Sequence, residues 1–109
     1  MSDYQPNTRE MFTLLNQVLN GPRQLGQLAA FTEVDQDLME QVLDEAGKFV
    51  GDVIAPLNRE GDEIGCQFEQ GRVVTPPGFR QAYQAFWQAG WPALSAAPED
   101  GGQGLPSVL

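Results

Sequence analysis

The chain has 109 residues, enough for one modest domain, and 15 acidic against 6 basic residues give it a formal charge of −9. No two basic residues are adjacent and no basic stripe forms, so nucleic acid and anionic membrane surfaces are disfavoured as partners. There is no histidine, which removes Ser-His-Asp, Cys-His and imidazole-metal chemistry from consideration.

The opening "MSDYQPNTREMF" lacks a basic segment followed by an apolar run, and no stretch is long and apolar enough to span a bilayer, so a cytoplasmic location is expected. The first helix is predicted in "NTREMFTLLNQVLNG". Asn7 caps it, with Glu10 three residues on in a capping-box pattern. Met11, Leu14, Leu15, Val18 and Leu19 recur at helical spacing and predict one buried face, ended at Asn20, Gly21 and Pro22. The next stretch, with Leu25, Leu28 and Phe31, is ambiguous because Gly26 weakens a helical reading.

The strongest signal is "DQDLMEQVLDEAGKFVGDVIAPLNREGDE", capped by Asp35 or Asp37. Leu38, Val42, Leu43, Ala46, Phe49, Val50, Val53, Ile54 and Leu57 keep a 3.6-residue period. Pro56 removes one helical hydrogen bond, and because Leu57 stays in phase a kinked continuation is expected rather than a stop. "CQFEQGRVVTP" then changes to a two-residue period around Gly71 and predicts a small hairpin leaning on the helices. A last helix is predicted from Thr75 as cap and Pro76 as first residue, with Phe79, Ala82, Tyr83, Phe86 and Trp87 on a core-facing side and Gly90 at its end. The fold class that follows is all-α with a short extended or hairpin insert.

Chemistry is sparse. Cys66, without a neighbouring cation or helix N-terminus, reads as a buried structural thiol. Asp35, Asp37 and Glu40, and Glu60, Asp62 and Glu63, read as caps and solvated charge: counted from Asp35, the glycine and the closing glutamate of a calcium loop are missing. No metal site is expected. The glycines of "EDGGQG" lack the Lys-Ser/Thr ending of a phosphate loop and are expected to serve positive φ and close backbone packing.

Three motifs in order carry a resemblance. "AGWPALSAAPEDGGQGLP" resembles the glycine-tryptophan step and Pro-Glu-x-x-Gly-Gly-x-Gly loop of flavin-dependent acyl-CoA dehydrogenases, with Pro98, Glu99, Gly101, Gly102 and Gly104 in the motif positions. "FVGDVIAPLNREGDEIGC" is similar to that family's first long helix, with Asn58, Arg59, Gly61 and Asp62 in its Asn-Arg-x-Gly-Asp run, and "TPPGFRQAYQAFWQAGW" to the helix after it. Asp100 departs from the bulkier residue many relatives carry before the glycine pair.

The resemblance implies residues 1–34 as an N-terminal extension with one helix, like that of a bacterial branch including 3-methylthiopropanoyl-CoA dehydrogenase-like enzymes. Residues 35–109 would be the N-terminal α-helical domain, cut before the β domain, and Leu105, Pro106, Val108 and Leu109 an exposed apolar end. The parent enzyme would use FAD, oxidise acyl-CoA to trans-2-enoyl-CoA, pass electrons to an electron-transfer flavoprotein and form a homo-oligomer. Catalytic and cofactor-binding residues would lie in its later domains, with none in this segment. The competing expectation is a free-standing acidic helical interaction module that buries its aromatic face against a partner.

Overall fold

The computed structural model describes residues 3–109. Helix α1 (Thr8–Thr13) widens into a π-helical turn over Leu14–Val18. Its cap is reciprocal, as expected, but the return bond runs between side chains. The Glu10 N–H donates to Asn7 Oδ1 at 3.2 Å, while Asn7 Nδ2 donates to Glu10 Oε2 at 2.8 Å. Asn20, in the left-handed region at φ 51°, breaks the helix. The ambiguous stretch resolves into α2 (Gly21–Leu25), opened by Pro22, and a 3₁₀ turn over Ala29–Phe31.

Helix α3 (Gln36–Phe49) is capped by Asp35, whose Oδ1 accepts from the Leu38 N–H at 2.8 Å. The backbone stays helical past Pro56, through a π-helical turn (Val50–Ile54) and a 3₁₀ turn (Ala55–Leu57) into α4 (Asn58–Ile64). The wider π turn, in which the Ala55 N–H reaches the Val50 carbonyl, gives the pyrrolidine ring room that a regular α-turn would deny it. Gly65, at φ 64°, ends the run.

Strands β1 (Gln67–Glu69) and β2 (Arg72–Val74) pair antiparallel with Phe68 opposite Val73, joined by Gln70 and Gly71, both at positive φ as a tight hairpin demands. Contrary to expectation the helices do not bury the hairpin: all six strand residues are exposed, and Gln67 Nε2 donates to the Ile64 carbonyl at the end of α4 at 2.8 Å. Cys66 beside it is also exposed, so the buried-thiol reading fails. Alternation buries a side chain only where one face of the sheet is covered.

Helix α5 (Phe79–Gln88) begins three residues later than expected, at Gly78 (φ 85°) instead of a Thr75 cap. Pro77 bars Pro76 from helical geometry, so the pair forms a turn whose Pro76 carbonyl accepts from the Phe79 N–H at 3.3 Å. Gly90, at φ 85°, stops the helix as expected. Two close approaches seat α5 on the long helix: Gly78 against Leu57, and Gly61 against the Phe79 ring, where a Cβ would lie 2.8 Å from Cε1.

The core is a cluster of Leu15, Val34, Met39 and Leu43, with Phe12, Leu25, Phe31, Leu38 and Leu109 packed around it. It joins residues before position 35, Leu15 and Val34, to Met39 and Leu43 of α3. Met39, absent from the expected stripe, is fully buried. The expected face of α1 is mostly open. Leu15 is buried, but Met11, Leu14, Val18 and Leu19 are exposed. The chain's last residues also differ from expectation: Pro106 is buried and Leu109 packs on the core, leaving Val108 exposed.

Candidate functional site

Two features bear on function, and both grow from the residues after Phe49. The first is the glycine loop. Beyond α5 the chain makes 3₁₀ turns at Trp91–Ala93 and Pro98–Asp100 and then folds back on itself. The Gly101 N–H donates to the Pro98 carbonyl at 3.0 Å and the Gly102 N–H to that of Ala97 at 3.0 Å. Gln103 donates to Ala93 at 3.1 Å, Gly104 to Ala96 at 2.9 Å, and Leu105 to Leu94 at 2.9 Å.

Each glycine of the motif has its own reason. Gly101 (φ 85°) and Gly104 (φ 63°) occupy the left-handed region, whereas Gly102 presses against the Ala96 backbone where no Cβ fits. Glu99 and Asp100 are exposed, and Pro98 caps the fold by lying 3.3 Å from where a Cβ at Gly104 would stand. Phosphate loops bind by aiming free N–H groups at the anion. Here the N–H groups of residues 101–105 donate to carbonyls of residues 93–98, so the loop closes on itself like a clasp.

The second feature is an open apolar groove of about 640 Å³ between the long helix and α5. Val50, Ile54 and Leu57 form one wall, Phe79, Tyr83 and Phe86 the other, and Tyr4 reaches it from the N-terminal segment; none of its lining residues is charged. Behind it Phe49 meets Phe86 and Trp91 in tilted contacts, with ring centroids 6.2 and 6.1 Å apart.

The expectation that the aromatics of α5 are core holds for part of the set. Ala82 is buried and Phe86 half-buried, but Tyr83 is 68% and Trp87 66% exposed. The helical period alone does not reveal the groove, because one period serves two different faces of the long helix. Met39 and Leu43 face the core with α1, while Val50, Ile54 and Leu57 face α5.

The acidic residues gather elsewhere. Asp37, Glu40, Asp44 and Glu45 share a shallow surface of α3 with Lys48, whose ammonium is held above its ordinary pKa by the hydrogen bond to Glu45 at 2.9 Å and the charge of that carboxylate. Arg59 pairs with Glu63 at 3.0 Å, also in solvent. Among the described residues no three His, Cys, Asp or Glu side chains are grouped to hold a metal ion, and no helix is long and apolar enough to cross a membrane.

No family model matches the chain. It is 39% identical over 106 residues, 97% of its length, to the 3-methylmercaptopropionyl-CoA dehydrogenase of Ruegeria pomeroyi. It is 28% identical over its whole length to the broad-specificity linear acyl-CoA dehydrogenase FadE5 of Mycobacterium tuberculosis. The butyryl-CoA dehydrogenase of Syntrophomonas wolfei matches at 39% over 57 residues, half of this chain. The chain spans 18% of the length of each of the first two relatives. With its helical architecture, its small hairpin and its glycine clasp, the chain belongs to the acyl-CoA dehydrogenases, as a segment of such a protein.

Proposed function

We propose that the chain is the N-terminal helical domain of an FAD-dependent acyl-CoA dehydrogenase, preceded by an extension over residues 1–34, and that the segment is structural. The parent protein would oxidise an acyl-CoA to its trans-2-enoyl-CoA, hand electrons to an electron-transfer flavoprotein, and work as a cytoplasmic homo-oligomer. The observation that carries this reading is 39% identity across 97% of the chain to a 3-methylmercaptopropionyl-CoA dehydrogenase.

The chemistry of the segment supports a structural role. When bound, the flavin of such an enzyme would accept the hydride leaving the β-carbon of the thioester. The described residues fit that cofactor poorly: the glycine loop's N–H groups are occupied and the net charge is −9. Pro98, Gly101, Gly102 and Gly104 therefore fasten the loop while Glu99 stays exposed, and the catalytic and flavin contacts belong to the rest of the polypeptide.

The test is a chimera in which this chain replaces the matched segment of the Ruegeria protein. It should bind FAD and reduce an artificial electron acceptor with acyl-CoA substrates, 3-methylthiopropanoyl-CoA among them. The isolated 109 residues should do neither, and tight FAD binding by them would refute the assignment.

A further inference from the structure

Two demands of the fold meet at the turn into α2. Asn20 stands at φ 51° and ψ 43°, the left-handed conformation that asparagine tolerates better than most residues with a side chain. The residue after it must have no side chain at all: a Cβ at position 21 would lie 2.8 Å from the Leu15 carbonyl oxygen and 3.6 Å from Met39 Cε. The pair that meets both demands is Asn-Gly, with Asn20 exposed and Gly21 resting on two members of the core.

Asn-Gly is also a dipeptide in which a backbone nitrogen readily attacks a side-chain amide, because glycine has no Cβ to crowd the attacking atom. Once hydroxide has taken the Gly21 amide proton, the nitrogen bonds to Asn20 Cγ, the Cγ–Nδ2 bond breaks, and ammonia leaves with a proton from water, which returns the hydroxide. Water then opens the five-membered imide at either carbonyl. The product is aspartate or an isoaspartyl link, in which the main chain runs through Cβ and Cγ of residue 20. In the folded chain the first step is blocked. At ψ 43° the Gly21 nitrogen points almost directly away from Asn20 Cβ across the Cα–C bond, so the ring cannot close. Bringing it round turns the Asn20 carbonyl off the Gln24 N–H, which donates to it at 3.1 Å, in a turn also held by Gln24 Nε2 on the Leu19 carbonyl at 2.6 Å.

We propose that Asn20–Gly21 is a modification site gated by this turn: deamidation is withheld while the turn is closed, proceeds when it opens, and in its isoaspartyl form keeps the turn from closing again. The last step follows from the seat of Gly21. An extra methylene in the main chain between residues 20 and 21 moves Gly21 off the Leu15 carbonyl and Met39, and so disturbs the core that joins Leu15 to α3. The aspartyl product leaves the core alone, since aspartate also tolerates left-handed φ. Asn7, Asn16 and Asn58 precede Thr8, Gln17 and Arg59, whose side chains crowd the attacking nitrogen, and serve as internal references. Asp100–Gly101 can form the same imide but releases no ammonia, so a change of mass reports asparagine alone.

The experiment incubates the chain at mildly alkaline pH, folded in buffer and unfolded in guanidinium chloride, and follows each asparagine by peptide mass spectrometry. In denaturant, position 20 should convert to the mass of aspartate before the other three asparagines. In buffer, with helical circular dichroism intact, the same site should convert at least about tenfold more slowly. Gln24→Ala removes the side-chain bond to Leu19 without touching the core, and should speed conversion in buffer while leaving the rate in denaturant unchanged. Equal rates in buffer and denaturant, for a chain that keeps its helical signal, would overturn the gating, as would a Gln24→Ala variant no faster than its parent. A position 20 no faster in denaturant than Asn7, Asn16 and Asn58 would overturn the site itself.

A second measurement reads the consequence. Chain deamidated in denaturant is returned to buffer, and its isoaspartyl fraction, separated by chromatography, should unfold at a lower denaturant concentration than fresh chain. Asn20→Asp should unfold close to the parent midpoint. Asn20→Gly keeps the left-handed turn without an amide to lose, and should pass through the same treatment with its midpoint unchanged, which accounts for slow chemistry elsewhere, such as at Asp100. An isoaspartyl fraction with the parent's midpoint would show that the seat of Gly21 accepts the added methylene, and would overturn the irreversible step. A treated Asn20→Gly chain that loses as much stability would assign the damage to another residue and overturn it equally.

Discussion

A Cβ at Gly102 would fall on the carbonyl group of Ala96, so no side chain can be accommodated at that position. The neighbour of Gly102 in the motif, Gly101, has open space around it but sits at φ 85°. The two glycines are thus required for different reasons, and the reasons have different costs. Gly102→Ala must push the backbone of residues 93–97 away and break bonds such as Gly104 N–H to Ala96, a loss of about 3 kcal/mol or more. Gly101→Ala meets only the left-handed penalty, about 1 to 2 kcal/mol. Urea denaturation of the two variants should show that order. The reverse order would mean that the clasp is not closed as described.

The core that joins the N-terminal residues to α3 makes a second prediction. Met39 is fully buried among Leu15, Val34 and Leu43, so Met39→Ala should cost about 2 to 5 kcal/mol. Deleting residues 1–34 removes Leu15 and Val34 and bares the same side of α3. The shortened chain should therefore lose stability by at least as much as Met39→Ala. A shortened chain with an unchanged urea midpoint would show that Leu15 and Val34 add nothing to the core.

Local signals were readable from sequence wherever the chain's own chemistry decides the outcome. Asp35 caps α3, Gly90 stops α5 and Gly71 turns the hairpin, because each acts on backbone groups within a few residues. What failed was the inference from apolar spacing to burial. Met11, Leu14, Val18, Tyr83 and Trp87 have the right period and remain exposed, since one layer of helices offers a single covered side. Periodicity says that a face wants cover; it does not say whether the cover is present. The Thr75 cap failed for a local reason that was in view, namely Pro77 after Pro76. The glycine pair at 47 and 51 was likewise a legible sign of close approach that the apolar pattern overshadowed.

Lys48 gives a pH prediction. Its pKa is raised above the ordinary 10.5, first by its hydrogen bond to Glu45 and then by the charge of that residue. A raised folded-state pKa means that the contribution to stability is fully present below the unfolded value and is lost as pH climbs through the folded one. The window therefore opens above 10.5. Because the pair is in solvent, the visible effect is in titration more than in stability. NMR of the Lys48 ε-methylene should give a midpoint above the ordinary value, and Glu45→Gln should bring it down. An unchanged midpoint in that variant would exclude Glu45 as the cause.

Residues 4–8, which lie over Gly47 and Gly51 of the long helix, provide the most discriminating test of how the N-terminal segment is held. A Cβ at Gly47 would lie 3.0 Å from Thr8 Cγ2 and 3.5 Å from Pro6 Cγ, so a methyl group is tight and a larger side chain has no place. In α3 itself leucine is a better helix former than glycine by roughly 1 kcal/mol or less. Gly47→Leu thus sets two effects against each other in different parts of the molecule: the helix is favoured while the segment over it is displaced. Helical circular dichroism should be retained. Trypsin cleavage after Arg9, one residue beyond Thr8 and near the start of α1, should become faster as the segment lifts and Tyr4 leaves the groove wall. Gly26→Leu makes a useful contrast, since a Cβ there would meet the Pro22 carbonyl of α2, remote from Pro6 and Thr8; it should disturb α2 and leave the response at Gly47 unmatched. If Gly47→Leu cleaves no faster than the parent chain, residues 4–8 are not held by the seat at Gly47 and Gly51, and Tyr4 owes its position to something else.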